Sequence, residues 1–343
     1  MRLLLATLAL LLLCTVAGAV HVERVLATPL ALTTEELVEV PPGASLRSVL
    51  ADLEQRGFLR GARIVELYGR VTGAAARTQA GEYGLRPGMA PRELLAMLVD
   101  GRVHRRHLLI VEGWRFSDVR RALVAAPRLG QRTAELTDAQ IMAALGRPDL
   151  APEGRFFPDT YDYVAGDDDL DVLRRALERM DVMLAEAWDA RLGGLPLAGP
   201  DEALVLASLV EKETGAAADR ARVAGVFVRR LERGMRLQTD PSVIYGLGEA
   251  FDGNLTRAHL RDPHPWNTYM HAGLPPTPIA MPGRAALRAA LTPEDGDALY
   301  FVARGDGTSE FSATLEAHQA AVRRFQIEQR ATDYRSAPRG EGR

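Results

Sequence analysis

The sequence predicts an α+β protein with two folded units behind an N-terminal membrane helix. Three observations support this class. The chain has 343 residues, which is enough for two separate hydrophobic cores. Residues 35–110 alternate short strands with short helices, which predicts a small α+β module. Residues 111–332 predict a larger, mixed α/β unit, within which one helix carries an inward-facing glutamate.

The N-terminal segment Leu3–Val20 is a nearly unbroken apolar stretch preceded by Arg2. Its length lies at the lower limit for a transmembrane helix, so we assign 1–21 to a membrane segment. The small residues Ala17–Ala19 also fit a signal-peptidase site, so a cleaved signal peptide and an uncleaved anchor both stay open. The positive charge of Arg2 places the N-terminus inside the cell in either case, and the rest of the chain is then exported.

The first unit follows an expected tether over 22–34. Strands and helices are then predicted from alternating apolar residues, helix caps and turn residues. They are a strand at 37–40, a helix capped by Ser45, a strand at 80–85, a helix over 91–99 that ends at Gly101, and a strand at 107–111.

The second unit contains longer amphipathic segments. The acidic run 166–171 is expected to cap the long helix 170–188, because carboxylates stabilise a helix N-terminus. Further predictions are a structured loop at 153–161, a helix over 218–232, an N-cap at Asp240 before Pro241, a proline-rich loop at 273–278, a hairpin of 298–303 with 310–312, a last helix over 314–329 and a disordered tail at 333–343.

Glu213 is the strongest candidate for chemistry. Treated as a helix from Asp201, its N-cap, to Thr214, the segment 201–214 places apolar residues on one face, with Glu213 near its middle. The residues that define this face are Val205, Leu206, Leu209 and Val210. A carboxyl against apolar side chains loses hydration of its charged form, so its pKa rises to the range of a general acid. The competing interpretation is a glutamate at a frayed helix end, or one paired with a buried arginine.

Composition limits the other functions. The formal net charge of −3 gives no indication of nucleic-acid binding. We find no cluster of His, Cys and Asp at metal-ligand spacing, so no metal is expected. Lys212 is the only lysine, and a Schiff base at Lys212 would require a desolvated amine.

Several stretches together resemble the YceG-like family of endolytic murein transglycosylases. They are Val-Glu-Gly at 111–113, Glu-Gly-x-Phe-x-Pro-Asp-Thr-Tyr at 153–161, Ala-Ser-Leu-Val-Glu-Lys-Glu-Thr at 207–214, Arg-Leu-x-x-Gly-Met-Arg-Leu-Gln-Thr-Asp-Pro-Ser-Val-Ile-Tyr-Gly at 230–246, Asn-Thr-Tyr at 267–269, Gly-Leu-Pro-Pro-x-Pro-Ile at 273–279 and Leu-Tyr-Phe-Val-Ala at 299–303. The resemblance implies a LysM-like fold for 35–110 and a YceG-like catalytic domain for 111–332.

The resemblance also implies the site residues. The family's catalytic glutamate falls on Glu213. Its cleft-lining motifs contain the tentative substrate-binding residues Gln238, Asp240, Tyr245, Asn267 and Tyr269. From the residues alone, Asp240 is equally interpreted as a helix cap, and the two tyrosines as core residues with a satisfied hydroxyl.

The implied reaction cleaves MurNAc-β-1,4-GlcNAc bonds inside nascent peptidoglycan strands and leaves 1,6-anhydro-MurNAc ends, which would terminate strand elongation. It requires one glutamate and no cofactor. The implied location is a single-pass anchor in the cytoplasmic membrane with the catalytic domain outside, and penicillin-binding proteins are the implied partners. Two alternatives stay open, namely a non-catalytic peptidoglycan-binding module and a pyridoxal-phosphate lyase that uses Lys212.

Overall fold

The computed structural model describes residues 2–328, and the chain divides into two compact units. The first consists of the chain up to Arg106 together with Asp162–Asp167, and the second of His107–Tyr161 together with the chain from Asp168 onward. The predicted tail at 333–343 and the end of the predicted last helix lie outside the described residues.

The first unit combines a small sheet with helices. Its elements are α1 (Arg2–Ala27), β1 (Glu36–Val40), α2 (Leu46–Gln55), α3 (Ala62–Val71), β2 (Gly81–Leu85) and α4 (Pro91–Asp100). β1 and β2 pair in antiparallel register with Val38 opposite Tyr83, and both side chains are buried. The predicted caps are confirmed, since the Ser45 hydroxyl accepts a hydrogen bond from the amide of Ser48 and Gly101 ends α4 in a left-handed conformation.

α1 is long and apolar enough to cross a membrane, and among residues 2–328 it is the one helix with this property. The expected tether over 22–34 differs from the structure, because α1 continues to Ala27. Leu26 and Leu30 are buried in the core of the first unit, and Val22 packs against that core. The physical reason is that apolar residues continue at helical spacing beyond the predicted end of the membrane segment.

The chain passes between the units in two short strands, β3 (Arg106–Leu109) and β4 (Thr160–Tyr163). The helices of the second unit are α5 (Phe116–Ala125), α6 (Asp138–Ala144), α7 (Asp169–Asp189), α8 (Pro200–Glu213), α9 (Arg220–Glu232), α10 (Asp240–Leu247), α11 (Arg284–Leu291) and α12 (Leu315–Val322), and a π-helical segment follows at Arg323–Glu328. The predicted hairpin is confirmed as β5 (Tyr300–Ala303) and β6 (Ser309–Ser312), which pair in antiparallel register. The second unit is thus mostly helical rather than an even mixture of helices and strands.

α8 is the central helix of the second unit and packs against α7, α9 and α11. Every residue from Ala203 to Val210 is buried, so the single apolar face that the sequence predicts is wrong. The predicted N-cap Asp201 is also wrong, because Gly199 is the cap and Pro200 occupies the first helical turn. A proline is suited to that position, since the first amides of a helix have no partner within the helix.

Candidate active site

Glu213 is the last residue of α8, and its side chain is half-buried. The Thr239 hydroxyl donates a hydrogen bond of 2.7 Å to Glu213 Oε2. Burial raises the pKa of Glu213 to about 7; Thr239 opposes this rise and the nearby charge of Asp240 adds to it. Near neutral pH Glu213 therefore holds a proton in part of the molecules, and its incomplete burial leaves it open to a ligand.

The competing interpretation makes Glu213 the ion-pair partner of a buried arginine. Arg230 is buried, and its charge lowers the pKa of Glu213. However, the guanidinium donates to the backbone carbonyls of Leu237 and Leu299, each at 2.7 Å. Within residues 2–328 no ion pair joins Arg230 to Glu213. Arg230 thus braces the backbone and supplies a positive charge near Glu213.

The Thr239 hydroxyl is held in place by a rigid turn. Gln238 has a φ of +52°, a left-handed conformation that costs a non-glycine residue about 1–2 kcal/mol. Thr268 fixes this turn twice, because its carbonyl accepts from the amide of Gln238 and its hydroxyl accepts from the amide of Thr239. The side chain of Gln238 is exposed, and Gln238 directly precedes Thr239, the hydrogen-bond partner of Glu213. A strained backbone conformation that the surrounding hydrogen bonds hold in place is typical of functional sites.

Asp240 does not cap α10 as the sequence predicts. Thr239 is the N-cap, with an extended backbone, and Asp240 is the first residue of the helix. The Asp240 carboxylate accepts a hydrogen bond of 2.6 Å from the hydroxyl of Tyr269. Burial, followed by this contact, raises the pKa of Tyr269. Asp240 and Tyr269 therefore form a hydrogen-bonded pair, and the charge of Asp240 acts on Glu213.

Asn267 is fully buried, and its side chain is occupied by the protein. Its amide donates to the carbonyls of Asp262 and His259, at 2.6 and 3.2 Å, and its Oδ1 accepts from the amide of Tyr269 at 2.9 Å. The contacts of Asn267 hold the loop that carries Tyr269.

Tyr245 contacts a second carboxyl. Its hydroxyl donates to Glu153 Oε2 at 3.2 Å, and the amide of Phe116 donates to Glu153 Oε1 at 3.0 Å. Burial raises the pKa of Glu153 to about 7 despite both contacts. Glu153 belongs to the 153–161 motif but is not among the site residues that the sequence predicts. Because it lies in an irregular loop, no helical or strand periodicity marks it as buried.

Glu153 and Tyr245 border a cavity of about 440 Å³. Trp266 lies at 5.6 Å from the Tyr245 ring, and the guanidinium of Arg115 lies 5.1 Å from the same ring. Two elements connect this cavity with the Glu213 site. α10 carries Asp240 and Tyr245, about 8 Å apart along the helix axis, and the loop at 266–269 carries both Trp266 and Tyr269.

The neighbours of Glu213 on α8 point elsewhere. Lys212 is exposed and donates to the carbonyl of Gly113 at 3.1 Å. Glu211 accepts from the amide of Gly283 at 3.0 Å, and burial raises its pKa. Residues 2–328 contain no group of three or more His, Cys, Asp or Glu side chains that could hold a metal ion.

The family model of the YceG-like family matches residues 38–324. The chain belongs to this family. It is 28% identical over 305 residues to a Bacillus subtilis protein named endolytic murein transglycosylase, with 84% of each chain covered. It is 26% identical over 326 residues to a Streptococcus pneumoniae protein of the same name, where the match covers 83% of this chain but only 57% of that protein.

The fold agrees with that assignment. The crystal structure of a YceG-like protein from Listeria monocytogenes superposes with a TM-score of 0.53 at 30% sequence identity. The match covers 83% of this chain and 98% of the Listeria chain. This similarity places most of the chain within one known architecture.

Proposed function

We propose that this protein is a peptidoglycan lytic transglycosylase that cleaves MurNAc-β-1,4-GlcNAc bonds inside glycan strands. The observation that carries the proposal is Glu213, a half-buried carboxyl with a pKa of about 7 held by Thr239. The curated relatives named endolytic murein transglycosylase support the class of reaction. Cleavage inside strands would terminate their elongation.

In the proposed mechanism Glu213 begins neutral and donates its proton to the glycosidic oxygen as the bond from C1 of MurNAc to that oxygen breaks. The resulting carboxylate then accepts the proton of the MurNAc 6-hydroxyl. The 6-oxygen bonds to C1 and closes the 1,6-anhydro ring. Glu213 ends neutral, as it began, and no water is consumed.

A single carboxyl suffices because the attacking hydroxyl belongs to the substrate. Most glycoside hydrolases instead use two carboxyls, about 5–10 Å apart. One protonates the leaving oxygen, and the other activates a water molecule or forms a covalent intermediate. The surroundings of Glu213 suit both of its protonation states. Burial favours the neutral acid, whereas the Thr239 hydroxyl and the charge of Arg230 stabilise the carboxylate formed midway. A pKa near the working pH lets one group serve as acid and then as base.

The proposed glycan site extends from Glu213 along α10. Gln238, with its exposed side chain, and the Asp240–Tyr269 pair lie beside Glu213 and would contact the sugar at the cleaved bond. The cavity bordered by Glu153, Tyr245 and Trp266 combines aromatic surface with polar groups, which suits the binding of a sugar ring. Asn267 would act on the substrate only through the position of Tyr269.

The proposed location is the cytoplasmic membrane, with α1 as an uncleaved single-pass anchor and the catalytic domain on its outer side. The apolar residues of α1 and the charge of Arg2 support this orientation. We propose that 35–110 is a LysM-like subdomain and 111–332 the catalytic domain. Penicillin-binding proteins, which make new strands, are the partners that this location favours.

The test is a digest of purified peptidoglycan by the full chain and by Glu213→Gln, with products resolved by mass. Glu211→Gln is the matched control, since Glu211 lies two residues earlier on α8 and faces the Gly283 amide. Anhydro-MurNAc ends inside strands from the wild type and the control, but not from Glu213→Gln, would support the proposal. Absence of products from all three proteins, with glycan binding retained, would instead support a binding module.

A further inference from the structure

The first unit contains a cavity of about 540 Å³ where α1 leaves its exposed apolar run. One wall comes from the end of α1 and the residues after it, including Val25 and Leu30. The other comes from the segment between α2 and α3, including Phe58 and Ile64. Most of the lining is therefore apolar.

The polar part of this juxtamembrane cavity is basic. Arg24, Arg60 and His21 line it, and its lining contains no acidic side chain. Neither arginine forms an ion pair within residues 2–328. Two acids on these elements have partners: Glu23 pairs with Arg92 at 2.6 Å, and Glu54 accepts from the amides of Ala62 and of Gly61, which lines the cavity. The two guanidinium groups are thus available to an anion.

The cavity lies at the end of α1 that would meet the surface of a bilayer. Val20 is the last residue of the apolar run and is exposed, and Arg24 lies one helical turn beyond it, about 6 Å along α1. That spacing places Arg24 at the depth of lipid headgroups when the apolar run fills the hydrocarbon core. The site is therefore located where a membrane-bound anion is found.

An apolar stripe continues from the cavity along α3. Ile64 lines the cavity, and Leu67 and Val71 follow at helical spacings of three and seven, which places all three on one face. Leu67 is 61% exposed and Val71 80% exposed. Exposed aliphatic residues on one helix face, beside a basic pocket at the end of a membrane span, match an amphiphile with an anionic head.

We propose that the juxtamembrane cavity binds the headgroup of an anionic phospholipid of the membrane that α1 enters. Arg24 and Arg60 hold the phosphate, and the face formed by Ile64, Leu67 and Val71 contacts the acyl chains. The bound lipid fixes the orientation of the first unit on the bilayer. This site is independent of the Glu213 chemistry and requires only that α1 enters a membrane.

The test uses the full chain, delipidated in detergent micelles, and native mass spectrometry with added phosphatidylglycerol or phosphatidylcholine. The test variant is Arg24→Gln/Arg60→Gln. The matched control is Arg63→Gln/Arg70→Gln, which removes the same charge from exposed positions of α3 that do not line the cavity. We expect the wild type and the control to retain phosphatidylglycerol about tenfold more strongly than phosphatidylcholine, and the test variant to lose that preference.

Three results would overturn the proposal. They are equal retention of the two lipids by the wild type, equal losses in both double variants, and complete displacement of phosphatidylglycerol by millimolar inorganic phosphate, which would indicate a simple phosphate site. Thermal unfolding and the peptidoglycan digest check that each variant is folded. If the double test variant does not fold, the single changes Arg24→Gln and Arg60→Gln must each weaken the preference.

Discussion

The hydrogen bond from Thr239 to Glu213 predicts the direction in which a substitution of Thr239 shifts the pKa of Glu213. Removing the hydroxyl in Thr239→Val takes away a 2.7 Å bond that stabilises the carboxylate. A hydrogen bond to a charged group contributes about 1.5–3 kcal/mol, which corresponds to about 1–2 pKa units at 1.36 kcal/mol per unit. The pKa of Glu213, about 7 in the wild type, should therefore rise to about 8 or higher.

The assay is the pH dependence of kcat/KM for strand cleavage, which follows protonation of the free enzyme. Because the proposed first step needs neutral Glu213, kcat/KM should fall as the pH rises through the pKa. With both proteins normalised to their acidic plateau, a shift of one unit makes Thr239→Val about fivefold more active than the wild type at pH 8. Its absolute plateau should be lower, because the carboxylate formed midway is less stable.

Asp240→Asn should shift the alkaline limb of the pH profile, where kcat/KM falls, in the opposite direction to Thr239→Val. The negative charge of Asp240 raises the pKa of Glu213, so neutralising it should shift the loss of activity to lower pH. Thr292→Val is the control, since the Thr292 hydroxyl bonds only a carbonyl of its own helix end. A limb that does not move in Thr239→Val, or that moves to lower pH, would refute the assignment of Glu213 as the acid.

Three further changes test other parts of the site. Asn267→Ala should cost about 2–4 kcal/mol of unfolding free energy and lower kcat/KM, because two carbonyls and the Tyr269 amide lose their buried partner; denaturant unfolding measures this. Lys212→Ala should keep near wild-type cleavage, since Lys212 is exposed; a large loss, or a pyridoxal-phosphate absorbance band that this change removes, would support the lyase alternative. The folded pKa of Glu153, about 7, exceeds its ordinary value of 4.5, so its contribution to stability falls between pH 4.5 and 7, by up to about 3 kcal/mol. Glu153→Gln should flatten that loss in thermal unfolding at pH 5 and pH 8, and an unchanged slope would contradict it.

The sequence predicts Glu213 correctly as a partly buried carboxyl but for an incomplete reason. The helical projection assumes one apolar face, whereas α8 is buried on all sides by α7, α9 and α11. Periodicity within one segment cannot show how many neighbours surround it. For the same reason the sequence does not predict α11, a short helix of alanine, leucine and two arginines, although it packs directly on α8.

The rest of the candidate site depends on contacts between distant residues. Asp240 looks like a cap in sequence, but the extended backbone of Thr239 takes that place and leaves the carboxylate for Tyr269. Glu153 lies 92 positions before Tyr245, and only the fold brings them together. Local features, such as the caps at Ser45 and Gly101 or the β5–β6 hairpin, are predicted correctly because residues close in sequence determine them.

In the proposed mechanism one carboxyl, Glu213, cleaves the glycan without water. Digestion of peptidoglycan in ¹⁸O-labelled water, with products resolved by mass, tests it most directly. We expect anhydro-MurNAc ends without ¹⁸O from the wild type and from Asp240→Asn, and no cleavage by Glu213→Gln. Reducing ends that carry ¹⁸O, lost in Asp240→Asn, would contradict it, because they would show hydrolysis with Asp240 as a second carboxylate.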